Sequence, residues 1–429
     1  MKRNRVILVL LGLALFAEVI GCQKRKTPVK KEIKMQTTEQ GPGSFGYDLN
    51  FLRSKGEMVV LKDPTGRAQV IVSPHFQGKV FTSTAEGLGG YSFGWINYKL
   101  LDLNKKQPHI NAYGGEDRLW LGPEGGRFSI FFRAGKSQIF RNWFTPKIFD
   151  TAVWKLVKKS PTSVEVKKEG HLVNYFGAEF DFELDRTVSL FSQPEIEKSL
   201  HLKVPESVHV VGFESANKIT NMGGTGWLPQ SGTLCLWILG MYRPSPQVTV
   251  IIPFKKGDPK KLGRIVTTDY FGKVSSDRLK IGDGVLFFKA DGKMRSKIGV
   301  PRRRAKNVAG SYDPLHHALT IIQFDVPEGD FVYLNQLWKL KDNPYDGDVV
   351  NAYNDGPLAD GSQIGPFYEL ESTSPALFIP FGRSYTHRHR TFHFVGEESA
   401  LDRIAKKVLG VRLEDVQKAF SETTQVAEE

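Results

Sequence analysis

Cysteine is almost absent from this 429-residue chain, which holds only Cys22 and Cys235. Two cysteines build neither a disulfide framework nor a thiolate metal cluster. Cys235, inside the apolar run LCLWILG, reads as a small buried hydrophobe. Also missing are a Walker loop and an H-E-x-x-H helix, so P-loop nucleotide and zinc-protease chemistries lose their usual supports. Strand–helix alternation is lacking, which argues against a parallel α/β domain. No repeat of fixed period appears. The longest apolar run, Val6–Ala17, is too short to span a bilayer. Acidic residues are the scarcer charge, 46 against 59 Lys and Arg, for a formal net charge of +13. The surplus is scattered except in the N-terminal segment and at Arg302–Arg304, so no nucleic-acid partner is expected.

What is present begins with a leader. Residues 1–22, MKRNRVILVLLGLALFAEVIGC, have a basic start, a short apolar core and a closing Val-Ile-Gly-Cys that resembles a bacterial lipobox. Lipidation is expected at Cys22, giving a membrane partner through an N-terminal lipid anchor. Envelope localisation follows, with the outer membrane or periplasmic face favoured by the Gln after the cysteine. Residues 23–44 are polar and basic and read as a flexible tether.

From residue 45 the texture is that of β-structure. Runs such as AQVIV, KVFTS, RLWLG, FDFEL, TLCLWILG, ALTIIQF and THRHRTFHF are separated by turn signals such as DPTG, PEGG and NDGP. This spacing predicts one large all-β domain over 45–395, a two-sheet antiparallel sandwich. Residues 396–429 differ again. Leu401, Ile404, Ala405 and Leu409 recur at helical spacing before Gly410, which predicts a short C-terminal helix followed by a polar tail.

Two stretches concentrate chemistry. In Asn111–Gly126 (NAYGGEDRLWLGPEGG), strand alternation through Arg118–Leu121 puts Glu116, Arg118 and Trp120 on one face. A carboxylate, a guanidinium and an indole together suit the hydroxyls and apolar face of a sugar. In Gly365–Phe394, Glu369 and Glu371 share one face of a strand, and His387, His389 and His393 share one face of another. The H-x-H pair invites Zn²⁺, but polar contact with a sugar and a plain surface or structural role both compete, and the histidine face need not be the buried one. Asp342–Gly356 carries Asp342, Asp346, Asp348 and Asp355. Ca²⁺ and Asx-turn chemistry both fit them, and Asn351 and Tyr353 there are assigned to a cleft wall. No cofactor is expected, with Ca and Zn as the weaker alternatives. Trp95 and Tyr98 read either as a stacking platform or as core. The basic segment Lys273–Lys306, with Arg295, Lys297 and Arg302–Arg304, reads as a solvated face or as a contact for an anionic sugar such as a uronate.

The early G-G-x-x-R-L-W stretch, the late aromatic-x-L-E strand and the terminal polar strand resemble the galactose mutarotase-like super-sandwich. Over nearly the whole mature chain they also resemble uncharacterised bacterial lipoproteins of a domain-of-unknown-function family. The resemblance to mutarotases implies carbohydrate as ligand, Glu371 as general base and Arg118 as a binder of ring hydroxyls. The mutarotase acid histidine has no counterpart. Glu214 and Asn217 stand in the corresponding region, and Glu369, Glu116 or a histidine are the other candidate acids. Epimerisation or β-elimination at a sugar ring is one expectation. A non-catalytic glycan-binding or structural envelope lipoprotein is the alternative, because paired carboxylates serve binding and catalysis alike.

Overall fold

A computed structural model describes residues 41–421. The leader, Cys22 and the tether up to residue 40 lie outside the described residues, as do residues 422–429.

Two antiparallel sheets form the body. The larger has ten strands, in the order Leu279–Ile281, Val285–Lys289, Thr249–Pro253, Val308–Asp313, Ala318–Phe324, Ser384–Val395, His209–Asn221, Glu179–Leu190, Ser163–Val173 and Lys155–Lys159. The smaller runs Ser296–Pro301, Asp348–Asn354, Tyr368–Thr373, Cys235–Tyr242 and Arg118–Gly122. A third, three-stranded sheet joins Val59–Lys62, Gln69–Ser73 and Lys79–Thr84. The expected all-β, two-sheet antiparallel architecture is thus present.

Alternation sets what each face buries. Tyr242, Ile298, Val350, Ala352 and Leu370 of the five-stranded sheet pack on Val250, Ile252, Leu286, Phe288 and Ile322 of the ten-stranded sheet. Each such Val, Ile, Leu or Phe contributes about 1.5–3 kcal/mol by leaving water. The outer face of the larger sheet is capped by the helices Gln193–Leu200, Glu398–Val408 and Leu413–Lys418, whose Ile196, Leu401, Ile404 and Val416 cover Ile321, Phe392 and Phe394. The C-terminal helix follows the predicted spacing, and Gly410 ends it at φ +73°, a backbone shape that costs glycine least.

Several expectations change. The runs RFSIFF and ALFIPF form no strand: they are irregular segments held by bonds such as the Phe131 amide donating to Ser129 Oγ at 3.1 Å and the Leu377 amide donating to the Leu234 carbonyl at 2.9 Å. Trp95 is core, packed on Phe367 at 4.8 Å between centroids, and Tyr98 opens a short helix and donates to Asp48. The histidine face of Ser384–Val395 points between the sheets and is fully buried. Phe392 and Phe394 do not compete for that space, because the C-terminal helices bury the opposite face of the same strand.

Candidate functional site

Tyr242, Ile298, Val350, Ala352 and Leu370 take the inner face of the five-stranded sheet, so alternation sends the residues between them to its outer face. Three rows of side chains result. In one, Arg118 lies opposite Leu239, then Glu371, Asn351 and Gly299 on successive strands. In the next, Met241, Glu369, Tyr353 and Lys297 align. In the third, Trp120, Trp237 and Thr373 align. Arg118 and Glu371 are therefore two strands apart, about 10 Å between backbones at about 4.8 Å per strand. The diglycine before this strand lets the chain arrive: a Cβ on Gly114 would stand 2.0 Å from the Trp95 carbonyl oxygen, and its φ is +95°.

These rows floor a cleft. A cavity of about 450 Å³ and an adjoining one of about 100 Å³ share Glu124, Phe140, Phe271, Arg295, Lys297 and Trp338 in their walls. Arg118, Trp120, Trp143, Trp237, Tyr353 and Glu369 line the smaller part. Aromatic walls over a charged floor are the dominant feature.

The floor is two buried ion pairs. Arg118 pairs with Glu369. Lys297 Nζ reaches Glu371 Oε2 at 2.8 Å, with side chains 6% and 0% exposed. The Trp237 indole N–H donates to the same oxygen at 2.9 Å. The Lys297 ammonium also stands 4.8 Å from the Trp237 ring and 5.3 Å from the Tyr270 ring, and the Arg118 guanidinium lies 5.4 Å from Trp120. Burial, reinforced by the neighbouring Glu371 charge, pushes the Glu369 carboxyl up to about 8 against the pull of Arg118. Burial likewise raises Glu124, with Lys297 opposing it. Several buried donors and acceptors have no partner among the described residues: Arg118 Nε, Glu371 Oε1 and the indole nitrogen of Trp143. Unmet polar groups of this kind are costly unless something binds them.

Of the predicted residues, Arg118, Trp120, Tyr353 and Glu369 line the cleft. Glu371 belongs to the same floor but lies beneath Lys297 and Trp237, fully buried and outside the cleft wall. Asn351 is also below the surface, donating to Tyr270 Oη at 2.9 Å.

The structure separates the rest. Glu116 precedes the strand and turns between the sheets, where its Oε2 meets His393 Nε2 at 2.9 Å. His387 Nε2 and His389 Nδ1 both lie 2.9 Å from Ser372 Oγ. Their position between the sheets explains why neither reaches the cleft, and burial depresses them to about 3 and about 4. Asn217 accepts from Arg186 in the same interior layer, and Glu214 pairs with Arg390 at 2.7 Å. Neither serves as an acid in the cleft. The aspartates of 342–355 disperse: Asp346 binds Arg264, Asp348 accepts from Thr267 and Tyr270, and Asp355 accepts from Tyr353. Among the described residues, no three His, Cys, Asp or Glu side chains are grouped to hold a metal ion.

Sequence reasoning placed Lys297 and Arg295 in a basic segment without seeing the strand. Alternation of Lys297 and Gly299 with Ile298 and Val300 carried the signal. Trp143, Trp237, Phe271 and Trp338 were missed because they come from four separate segments that only the fold assembles.

Over residues 43–420 the chain matches DUF6786, a family of unknown function. The chain belongs to that family. No curated protein matches it. Among solved structures it is similar to a protein from Synechocystis sp. PCC 6803, at 12% identity over 80% of this chain and 96% of that chain, with a TM-score of 0.48. It is also similar to the GalM/aldose epimerase homologue from C. elegans (10% identity, 79% and 99% covered, TM-score 0.43). A galactose mutarotase-like protein from Lactobacillus casei ATCC 334 gives 10% identity, 80% and 100% covered, and a TM-score of 0.39.

Proposed function

We propose that the cleft on the five-stranded sheet binds a carbohydrate. The observation that carries this reading is the combination in one cleft of Trp120, Trp143, Trp237 and Trp338 with the ion-paired floor of Arg118, Glu369 and Lys297. Indole faces accept the apolar side of a sugar ring, and guanidinium and carboxyl groups pair with its hydroxyls. A flat apolar ligand would leave that floor unmet. The same reading keeps the lipid anchor at Cys22, which would hold the domain at an envelope membrane.

A second reading, acid–base chemistry on the bound sugar, is favoured by one feature. Glu369 lines the cleft with its carboxyl raised to about 8, which suits a group that gives and takes a proton near neutral pH. Glu371, covered by Lys297, would then position the ammonium and not touch the sugar. Glu369→Gln separates the readings. A catalyst keeps sugar binding and loses turnover by about 10²-fold or more. A binding module shows an affinity loss of about 1–3 kcal/mol and no turnover in either form.

A further inference from the structure

Resting on the carbohydrate reading, we infer that the sugar is acidic and that Arg295 recognises its carboxylate. Of the cleft's three cations, two already bond an acidic side chain: Arg118 is bonded to Glu369, and Lys297 to Glu371. Arg295 lines both parts of the cleft, yet its guanidinium makes no hydrogen bond or ion pair among the described residues. It is held instead by stacking on Phe271, with its central carbon 3.9 Å from the ring centroid. Stacking fixes the plane of a guanidinium while leaving its edge N–H groups free, the arrangement that takes a carboxylate through two parallel hydrogen bonds.

The surrounding carboxyls do not cancel this charge. Asp355 is occupied by the Tyr353 hydroxyl at 2.8 Å and the Gly365 amide at 3.0 Å. Glu124 makes no ion pair with Arg295 among the described residues; burial raises its carboxyl, with the Lys297 and Arg295 charges pulling the other way. Further unpartnered donors line the same cleft, Arg118 Nε and the Trp143 indole N–H. Donors in excess over acceptors call for a ligand rich in acceptors. A hexuronate supplies a carboxylate where a neutral hexose has a hydroxymethyl group, with an apolar ring face left for the tryptophans.

The test is calorimetric titration of the purified protein with tetrasaccharides of galacturonate, mannuronate and glucuronate. Each is compared with its carboxyl-reduced counterpart, in which every carboxylate has become a hydroxymethyl group. At least one acidic tetrasaccharide should bind 10-fold or more tighter than its reduced form, and added salt should narrow the gap. Arg295→Gln should abolish the preference by weakening the acidic sugar more than its reduced form, and Arg295→Lys should restore part of it. Thermal unfolding confirms that both variants fold. Reduced sugars binding as well as the acids, or a preference unchanged in Arg295→Gln, would overturn the inference and leave the carbohydrate reading standing. Absence of binding by the acidic and the reduced tetrasaccharides alike would overturn both.

Discussion

Lys297→Met is the most informative single change, because it leaves a carboxylate buried without its cation. Glu371 is fully buried, its Oε1 has no partner, and its Oε2 would keep only the Trp237 indole at 2.9 Å once the ammonium at 2.8 Å is gone. Breaking a buried pair from one side costs about 3–5 kcal/mol. A domain of roughly 380 residues unfolds with an entropy near 0.8 kcal/mol/K, from about 2.1 cal/mol/K per residue, so the melting temperature should fall by about 4–6 °C. The double variant Lys297→Met/Glu371→Leu removes both charges and should recover at least half of that loss, since an apolar pair of similar volume is often neutral. Calorimetry and urea unfolding of the wild type, both single variants and the double variant give the coupling directly. A loss below about 1 kcal/mol for Lys297→Met would refute the reasoning. So would a double variant whose loss equals the sum of the singles.

Three further outcomes follow from the same geometry. The folded-state value of Glu369, about 8, lies above its ordinary 4.5, so folding takes up a proton between them. Its contribution to stability therefore declines as pH rises through that window, by up to about 1.4 kcal/mol per unit. Glu369→Gln should flatten that decline in urea midpoints, and an unchanged slope would contradict the assignment. His389 is displaced the other way, from 6.5 to about 4; its contribution is present above pH 6.5 and lost as pH falls toward 4. His389→Asn should lessen the acid sensitivity of unfolding, and equal sensitivity would argue that other groups govern it. Radiolabelled palmitate should enter the wild type and not Cys22→Ala, whereas equal labelling would remove the anchor.

The fold was legible where side-chain period and turn residues agreed. RLWLG, TLCLWILG and the strand Tyr368–Thr373 were readable from their own residues, and so was the helix Glu398–Val408. Strands lacking a dense apolar signature escaped, such as Ser296–Pro301 and Asp348–Asn354, because their stability comes from pairing that only the fold supplies: the first is an edge strand on the second, which pairs in turn with Tyr368–Thr373. The site divided along the same line. Arg118, Trp120 and Glu369 declare their common face by alternation within a strand. The failures came where burial depends on which sheet face is covered. The sequence of Ser384–Val395 gives the spacing of His387 and His389 but not that helices bury the other face, which leaves the histidines between the sheets. Glu116 sits two residues before the strand, where alternation no longer governs direction, and it turns to His393 instead of the cleft. Lys297 was invisible as a partner of Glu371 because 74 residues separate them in sequence.

The central claim, that the tryptophan-walled cleft over Arg118, Glu369 and Lys297 takes a carbohydrate, is tested most directly on a glycan array. The wild type is probed beside Trp120→Ala/Trp338→Ala, a variant that strips two cleft walls. The account predicts that the wild type captures at least one class of glycan and that the double variant, still folded by circular dichroism, loses about 10-fold or more of that signal, as expected when stacked aromatic faces are removed. A folded wild type that captures no glycan, or a double variant that captures the same glycans equally well, would contradict it.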